Sequence, residues 1–309
     1  MCDKYIIKWQ CFILILILKA QFGHLNKYKV VFLKHNKTTS HDTRPLMEEE
    51  NSDFIDNTSY RCIARSKKFN RELKAFKIKS RIVGGFEVDD IRSFPYHASY
   101  GEYCGAAIIH KRWVITVAHC GEEWYIVAGT KNLYEGEMVD VKKHFVHPKW
   151  ERPYRSKKHY FDYDFQLIKL KHSLDFNPRI RAIKFGNFSN LQAGDFLTVT
   201  GWGSLEYEGS RPDVLQAVRV PVVNKDVCQR VKNPMFRHLT PRMFCAGYKE
   251  GKRDACEGDS GGAAAHNNRL IGLVSFGIEC ATPDAYGVYS DVSGISSWIR
   301  RTTGIYFRF

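Results

Sequence analysis

Three short strings in this chain of 309 residues carry side chains that could act together. They are Thr116-Val117-Ala118-His119-Cys120, Asp164-Phe165-Gln166-Leu167 and Cys256-Glu257-Gly258-Asp259-Ser260-Gly261-Gly262. A serine hydroxyl is a weak nucleophile near neutral pH and needs an adjacent base. An imidazole can take its proton and later return it to a leaving group. A carboxylate beside that imidazole can fix its tautomer and stabilise its charged form. Each string alone is weak, since Gly-Asp-Ser-Gly also suits a plain turn and a lone His is usually structural. Together, in the chain order His, Asp, Ser, they match one known order of a nucleophilic triad. Asp162 is a rival to Asp164 for the acidic role.

Such groups must be held by rigid elements. After Arg81, short runs rich in β-branched and aromatic residues appear at Ala106–Ile109, Trp113–Val117, Trp124–Val127, Phe165–Leu170, Phe196–Thr200, Val218–Val223 and Leu270–Phe276. Gly- or Pro-containing turns separate many of them. This spacing predicts an all-β sandwich or barrel. One helix is expected at the end, where Ile295, Trp298 and Ile299 share a face.

Composition narrows the class. Apolar residues make up 44% and charged residues 26%, which argues against overall disorder, collagen, coiled coil or a multispanning membrane protein. The net charge is +14, of which residues 1–81 contribute +9 and residues 82–309 only +5. That imbalance weakens a nucleic-acid reading for the main body. At the amino end, Lys4 and Lys8 precede the apolar run Cys11–Leu18, followed by Ala20 and Gly23. This reads as a secretory signal over residues 1–23, and the run is far short of the ~20 residues of a membrane span. Residues 24–81 have no sustained periodicity and read as a loosely ordered leader. It ends in a stretch, 61–81, with nine Lys/Arg and one acid, Glu72. Export makes disulfides the default state of the cysteines and makes the sequons at Asn36, Asn57 and Asn187 glycan candidates.

Residues 82–309 resemble the trypsin-like serine proteases of chymotrypsin fold. Beyond the three strings, the resemblance rests on Arg81-Ile82-Val83-Gly84-Gly85, Cys104-Gly105, Gly201-Trp202-Gly203, Pro212-Asp213-Val214-Leu215 and Gly287-Val288-Tyr289. It implies two six-stranded antiparallel β-barrels with a C-terminal helix. It implies His119, Asp164 and Ser260 as catalytic residues, with Asp164 preferred over Asp162 because the family's Asp is followed by two residues and Leu. The backbone N–H groups of Gly258 and Ser260 would form the oxyanion hole. The pairings Cys104–Cys120, Cys228–Cys245 and Cys256–Cys280 also come from the family, which leaves Cys62 in the leader unpaired or intermolecular.

By the same resemblance, Arg81-Ile82 is an activation site, and the freed Ile82 amine would insert beside Asp259. Asp254 would form the floor of the primary pocket and favour Lys or Arg before the cut. Gly277 and Gly287 would form the pocket walls, and Ser275, Phe276 and Gly277 the strand that pairs with substrate backbone. The expected protein is therefore a secreted serine endopeptidase made as a zymogen. Its expected partners are protein or peptide substrates, an activating protease and protein inhibitors, with no nucleic acid, membrane span, cofactor or metal. A protease-fold binding protein without useful activity is the alternative; such proteins usually replace the His or the Ser, and both are present here.

Some positions depart from the family. Val117, Gln166, Ala263 and Phe276 replace common Ala, Ala, Pro and Trp, which bears on efficiency more than mechanism. Glu279 stands at the pocket rim in place of a usual Gly. Tyr286 replaces the Pro of trypsin, and a Tyr there accompanies a sodium site in clotting-type relatives. Thr130 takes the place of an early acidic calcium ligand. The stretch from Lys142 to His159, with seven Lys/Arg and only Glu151 acidic, reads as a solvated basic loop or as a rim over the substrate groove.

Overall fold

Strands dominate because most buried segments are short and rich in β-branched Val and Ile, which suit a pleated, half-buried surface. In the computed structural model, residues 84–133, 135–151 and 161–308 are described. The chain divides into units over Met1–Lys77 and Ile78–Phe309, and all described residues lie in the second. The signal, the leader with Cys62, the Arg81-Ile82 junction, the sequons Asn36 and Asn57, and residues 152–160 of the basic stretch lie outside the described residues.

A short strand β1 (Phe86–Glu87) precedes the first barrel. That barrel comprises β2 (His97–Tyr100), β3 (Cys104–His110), β4 (Trp113–Thr116), β5 (Tyr125–Ala128), β6 (Glu137–Val146) and β7 (Gln166–Leu170), closed in the order β2-β3-β4-β7-β6-β5. After β8 (Lys184–Phe185), the second barrel uses β9 (Phe196–Gly201), β10 (Gln216–Val223), β11 (Met243–Ala246), β12 (Ala263–His266), β13 (Arg269–Phe276) and β14 (Gly287–Asp291). Its antiparallel path β10-β11-β14-β13-β12-β9 closes through β9 pairing with β10. The helices are short: α1 (Lys225–Gln229), α2 (Pro234–Arg237) and α3 (Ser296–Thr303). The two barrels and terminal helix agree with the expectation drawn from the resemblance.

The apolar runs are continuous rather than alternating because both faces of several strands are buried. In β3, Ala106 and Ile108 fill the first barrel, while Ala107 and Ile109 join a second cluster with Ala263, Leu273, Trp298 and Ile299. The second barrel is filled by Leu197, Val199, Val218, Val220, Phe244, Ile271 and Tyr289. In α3, Trp298 and Ile299 are buried, and Gly304 ends the helix in the left-handed region with its N–H on the Arg300 carbonyl. The disulfides Cys104–Cys120, Cys228–Cys245 and Cys256–Cys280 are all formed.

The segment leading into β7 is clamped to the second barrel. Arg242 grips the Asp162 carboxylate with Nε at 2.9 Å and Nη2 at 2.8 Å, and Thr240 Oγ1 donates to it at 2.9 Å. The same guanidinium lies 4.2 Å from the Tyr163 ring centroid, and His147 stacks on that ring at 4.5 Å. These contacts hold Phe161 and Tyr163 at φ of 58° and 55°, a region that disfavours bulky residues. Burial would raise the Asp162 carboxyl, but the Arg242 and Thr240 hydrogen bonds more than offset it and leave it below 3.8. Arg242→Ala should therefore cost about 2 kcal/mol near neutral pH by stranding a half-buried carboxylate. A depressed carboxyl lends stability that is present above its unfolded value and lost as pH falls through its folded one. The stability gap between wild type and Arg242→Ala, read from unfolding curves, should thus narrow once the pH drops below 3.8.

Candidate active site

His119 sits in a single 3-10 turn, Ala118–Cys120, that caps the end of β4. Val117 is fully buried at its start, and the Cys104–Cys120 disulfide ties its end to the first residue of β3. Asp164 lies two residues before β7 and is completely enclosed. A carboxylate so placed needs donors to compensate for lost water. It has three: His119 N at 2.9 Å, His119 Nδ1 at 2.8 Å and Ser275 Oγ at 2.6 Å. With Nδ1 carrying the proton toward Asp164, Nε2 is left as the acceptor. Asp162, the rival acid, is held by Arg242 and Thr240 instead.

Ser260 approaches from the second barrel. Its carbonyl accepts the Gly105 N–H at 2.8 Å and lies 3.8 Å from Cys120 Sγ, beside the turn that bears His119. The surrounding loop is folded by Asp259 N to Cys256 O at 3.0 Å and Gly262 N to Asp259 O at 2.8 Å. Gly261 adopts φ +80°, and a Cβ there would meet Thr116 Oγ1 at 2.0 Å and Gly105 O at 2.4 Å. Only glycine permits this approach between the barrels. Among the described residues, no protein acceptor takes the N–H of Gly258 or of Ser260. Two unpaired donors flanking Asp259 are what a developing oxyanion would require.

Asp254 is 6% exposed, and among the described residues its carboxylate receives only Ala255 N at 2.9 Å and Ala281 N at 3.2 Å. Burial pushes its carboxyl up to about 7. A Cβ on Gly287 would lie 3.0 Å from Asp254 Oδ1 and 3.3 Å from the Tyr289 hydroxyl, whereas one on Gly277 would meet open space. That Tyr289 hydroxyl is buried and has no hydrogen-bond partner among the described residues. It escaped sequence reasoning because its aromatic ring reads only as core. The Cys256–Cys280 bridge braces this region.

Asp259 is also fully buried, with Gly203 N at 2.8 Å and Cys256 N at 2.8 Å as donors. Its carboxyl is raised to about 6 by desolvation. Gly201 must lack a side chain, since a Cβ would fall 1.9 Å from Asp259 Oδ1.

The structure gives Ser275, read from the sequence as part of the substrate-pairing strand, a further contact: its hydroxyl donates to Asp164. Strand β13 ends at Phe276, which still pairs with Val288 of β14 after a register shift beyond Val274, and Gly277 follows just outside the strand. Phe276 stacks on Phe161 at 4.8 Å, and Phe161 meets the His119 ring edge-on at 5.6 Å. The contact of Phe161 with the site was not legible, as it depends on its left-handed backbone. Glu279 is exposed at the rim, 3.4 Å from Thr282 Oγ1. Among the described residues, no three His, Cys, Asp or Glu side chains come together to hold a metal, and no helix is long and apolar enough to cross a membrane.

Residues 82–299 match the trypsin family. The chain is 33% identical over 242 residues to "Trypsin 5G1" of Aedes aegypti, covering 75% of this chain and 88% of that protein. It is 36% identical over 230 residues to "Vitellin-degrading protease" of Bombyx mori, covering 71% and 84%. It is 35% identical over 227 residues to "Trypsin" of Simulium vittatum, covering 69% and 89%. With two antiparallel barrels and this extent of similarity, the chain belongs to the trypsin family of serine endopeptidases.

Proposed function

We propose that the domain beginning at Ile82 is a secreted endopeptidase made as a zymogen, activated by cleavage between Arg81 and Ile82, that hydrolyses peptide bonds after Arg or Lys. Ser260 attacks the scissile carbonyl while His119 takes its proton and passes it to the leaving amine. Asp164 holds the imidazole with Nδ1 protonated and stabilises the imidazolium. The N–H groups of Gly258 and Ser260 receive the charge that develops on the carbonyl oxygen. Secretion is supported by the charged and apolar pattern of Lys4 to Leu18. The Asn187 sequon lies on a turn where its Oδ1 accepts Ser189 N at 3.0 Å, and we take it as a glycan acceptor.

The observation that carries the substrate reading is the Asp254 carboxylate, buried with two backbone donors and facing the space left by Gly287 and Gly277. A guanidinium or ammonium entering there gains a charge-assisted partner. An apolar side chain leaves the acid stranded. The zymogen reading rests on Asp259. Even with two backbone donors and the charge of Arg211, burial leaves its carboxyl raised from 3.8 to about 6, on the order of 3 kcal/mol of uncompensated desolvation. A nearby amine would offset that penalty, and cleavage after Arg81 creates one at Ile82. A buried ion pair formed only on cleavage acts as a switch, whatever its net worth to stability.

Three measurements test this. Ser260→Ala and His119→Ala, each in the cleaved protein, should reduce peptide hydrolysis to background, because triad members act as a unit; near wild-type turnover in either would refute the mechanism. In matched peptides differing only before the cut, Arg should exceed Leu by roughly two to four orders of magnitude in kcat/KM, the rate equivalent of stranding a buried charge. Asp254→Ser should collapse that ratio, and equal rates for Arg and Leu in the wild type would end the trypsin-like assignment.

Uncut protein should be nearly inactive, and the protein cut after Arg81 fully active. Without a cation, an acid raised in the folded state makes stability fall as pH climbs from 3.8 to about 6. The cut form should therefore be the more stable above that range, with the difference shrinking below it. Full activity before the cut would remove the switch.

A further inference from the structure

Arg211 lies in the loop between β9 and β10, and nothing in the proposed mechanism uses it. It reaches across the two barrels. Its Nε donates to the Trp202 carbonyl at 2.9 Å, and its Nη1 donates to the Glu102 carbonyl in the turn between β2 and β3. Its guanidinium carbon lies 5.7 Å from the ring centroid of Tyr103, which is 67% exposed. On its inner side it is pressed against the Gly258 backbone, where a Cβ would fall 3.1 Å from Arg211 Nε. The side chain is half-buried and fixed at both ends, so little entropy is lost when it binds a further group. Its Nη2 has no acceptor among the described residues. No described carboxylate lies within ion-pair distance of it, although its charge reaches the buried Asp259 and Glu257 is exposed next to Gly258.

On the function proposed above, substrate residues before the cut lie between the Asp254 pocket and Ser275–Phe276, and the scissile carbonyl meets the N–H groups of Gly258 and Ser260. A chain leaving past Gly258 on the side of Arg211 comes to the turn of Glu102 and Tyr103. In an extended chain, successive side chains point to opposite sides. The residue before the cut points into the second barrel, toward Asp254. The first residue beyond the cut points away from that barrel, and the second points back to it, where Arg211 lies beside Gly258.

We propose that Arg211 is a specificity-determining residue for the departing half of the substrate, binding the carboxylate of an Asp or Glu at the second residue after the cut. The free Nη2 and the planar fork suit a carboxylate oxygen. The preferred substrate is then a segment with a basic residue before the cut and an acidic one two places after it. This inference rests on the reading of Asp254 as the pocket for Arg or Lys.

The test uses internally quenched peptides with a fixed Arg before the cut and Glu, Gln or Lys at the second position after it, with cleavage sites checked by mass spectrometry. In the activated wild-type protein, kcat/KM for Glu should exceed that for Gln by about tenfold, the size of a charge-assisted hydrogen bond in a half-exposed site. Lys should be the poorest. Arg211→Gln should bring the Glu/Gln ratio to near one, Arg211→Lys should keep part of it, and Arg211→Glu should make Lys the best. These are ratios within one variant, so a general loss of activity does not alter them. A wild-type ratio near one, or an unchanged ratio in Arg211→Gln, would overturn the proposal. Failure of the Asp254 reading would show differently, as a lost difference between Arg and Leu before the cut with the Glu/Gln ratio intact.

Discussion

The placement of one carboxylate organises this molecule. Asp164 has no exposed surface and would be intolerable as an ion without donors. Those donors come from two places: the turn of His119 at the end of a first-barrel strand, and Ser275 in a second-barrel strand. The acid can be satisfied only when the barrels are docked. The same contact that completes the fold therefore aligns an imidazole toward the opening between the barrels. The Ser260 loop enters by the same route, through Gly105 and the glycine at 261.

Three other acids show how environment separates roles within one scaffold. Asp162 has a bidentate Arg242, and its carboxyl is held below the ordinary value. Among the described residues Asp254 and Asp259 have only backbone donors, and burial raises both. The first arrangement is complete and serves as a clamp. Among the described residues the other two have no cation hydrogen-bonded to them, although the charge of Arg211 reaches Asp259, and each faces a place where we propose that one arrives: a substrate side chain at Asp254 and a new chain terminus at Asp259. The difference lies in what each carboxylate lacks, and it follows from hydrogen-bond accounting.

Much of the fold was legible along the chain. The runs at Ala106–Ile109, Trp113–Val117, Phe165–Leu170 and Phe196–Thr200 all became strands, with ends moved by at most two residues. Strand β6 was missed, because Glu137, Asp140, Lys142 and Lys143 interrupt its apolar residues and one of its faces meets solvent. Strands β2 and β12 were missed because His97, Ser99 and three consecutive alanines give no strong local signal. Each nonetheless forms a hairpin with the strand that follows it, β3 and β13, and is held on its other side by β5 and β9.

The sequence by itself determined the chemistry available: a His, two candidate acids and a Ser within their glycine-rich surroundings, an acid six residues before that Ser, and six cysteines for three bridges. Side-chain type and local backbone freedom are properties of the chain, so they can be read from it. The tertiary structure decided partnership. It brought His119 to Asp164 rather than Asp162, across 45 residues of chain, and Ser275 to the same carboxylate across 111. It left the Tyr289 hydroxyl without a partner among the described residues and laid Arg211 against Gly258. Burial, hydrogen-bond supply and the reach of a long side chain depend on which distant segments meet, and only the closed and docked barrels define that.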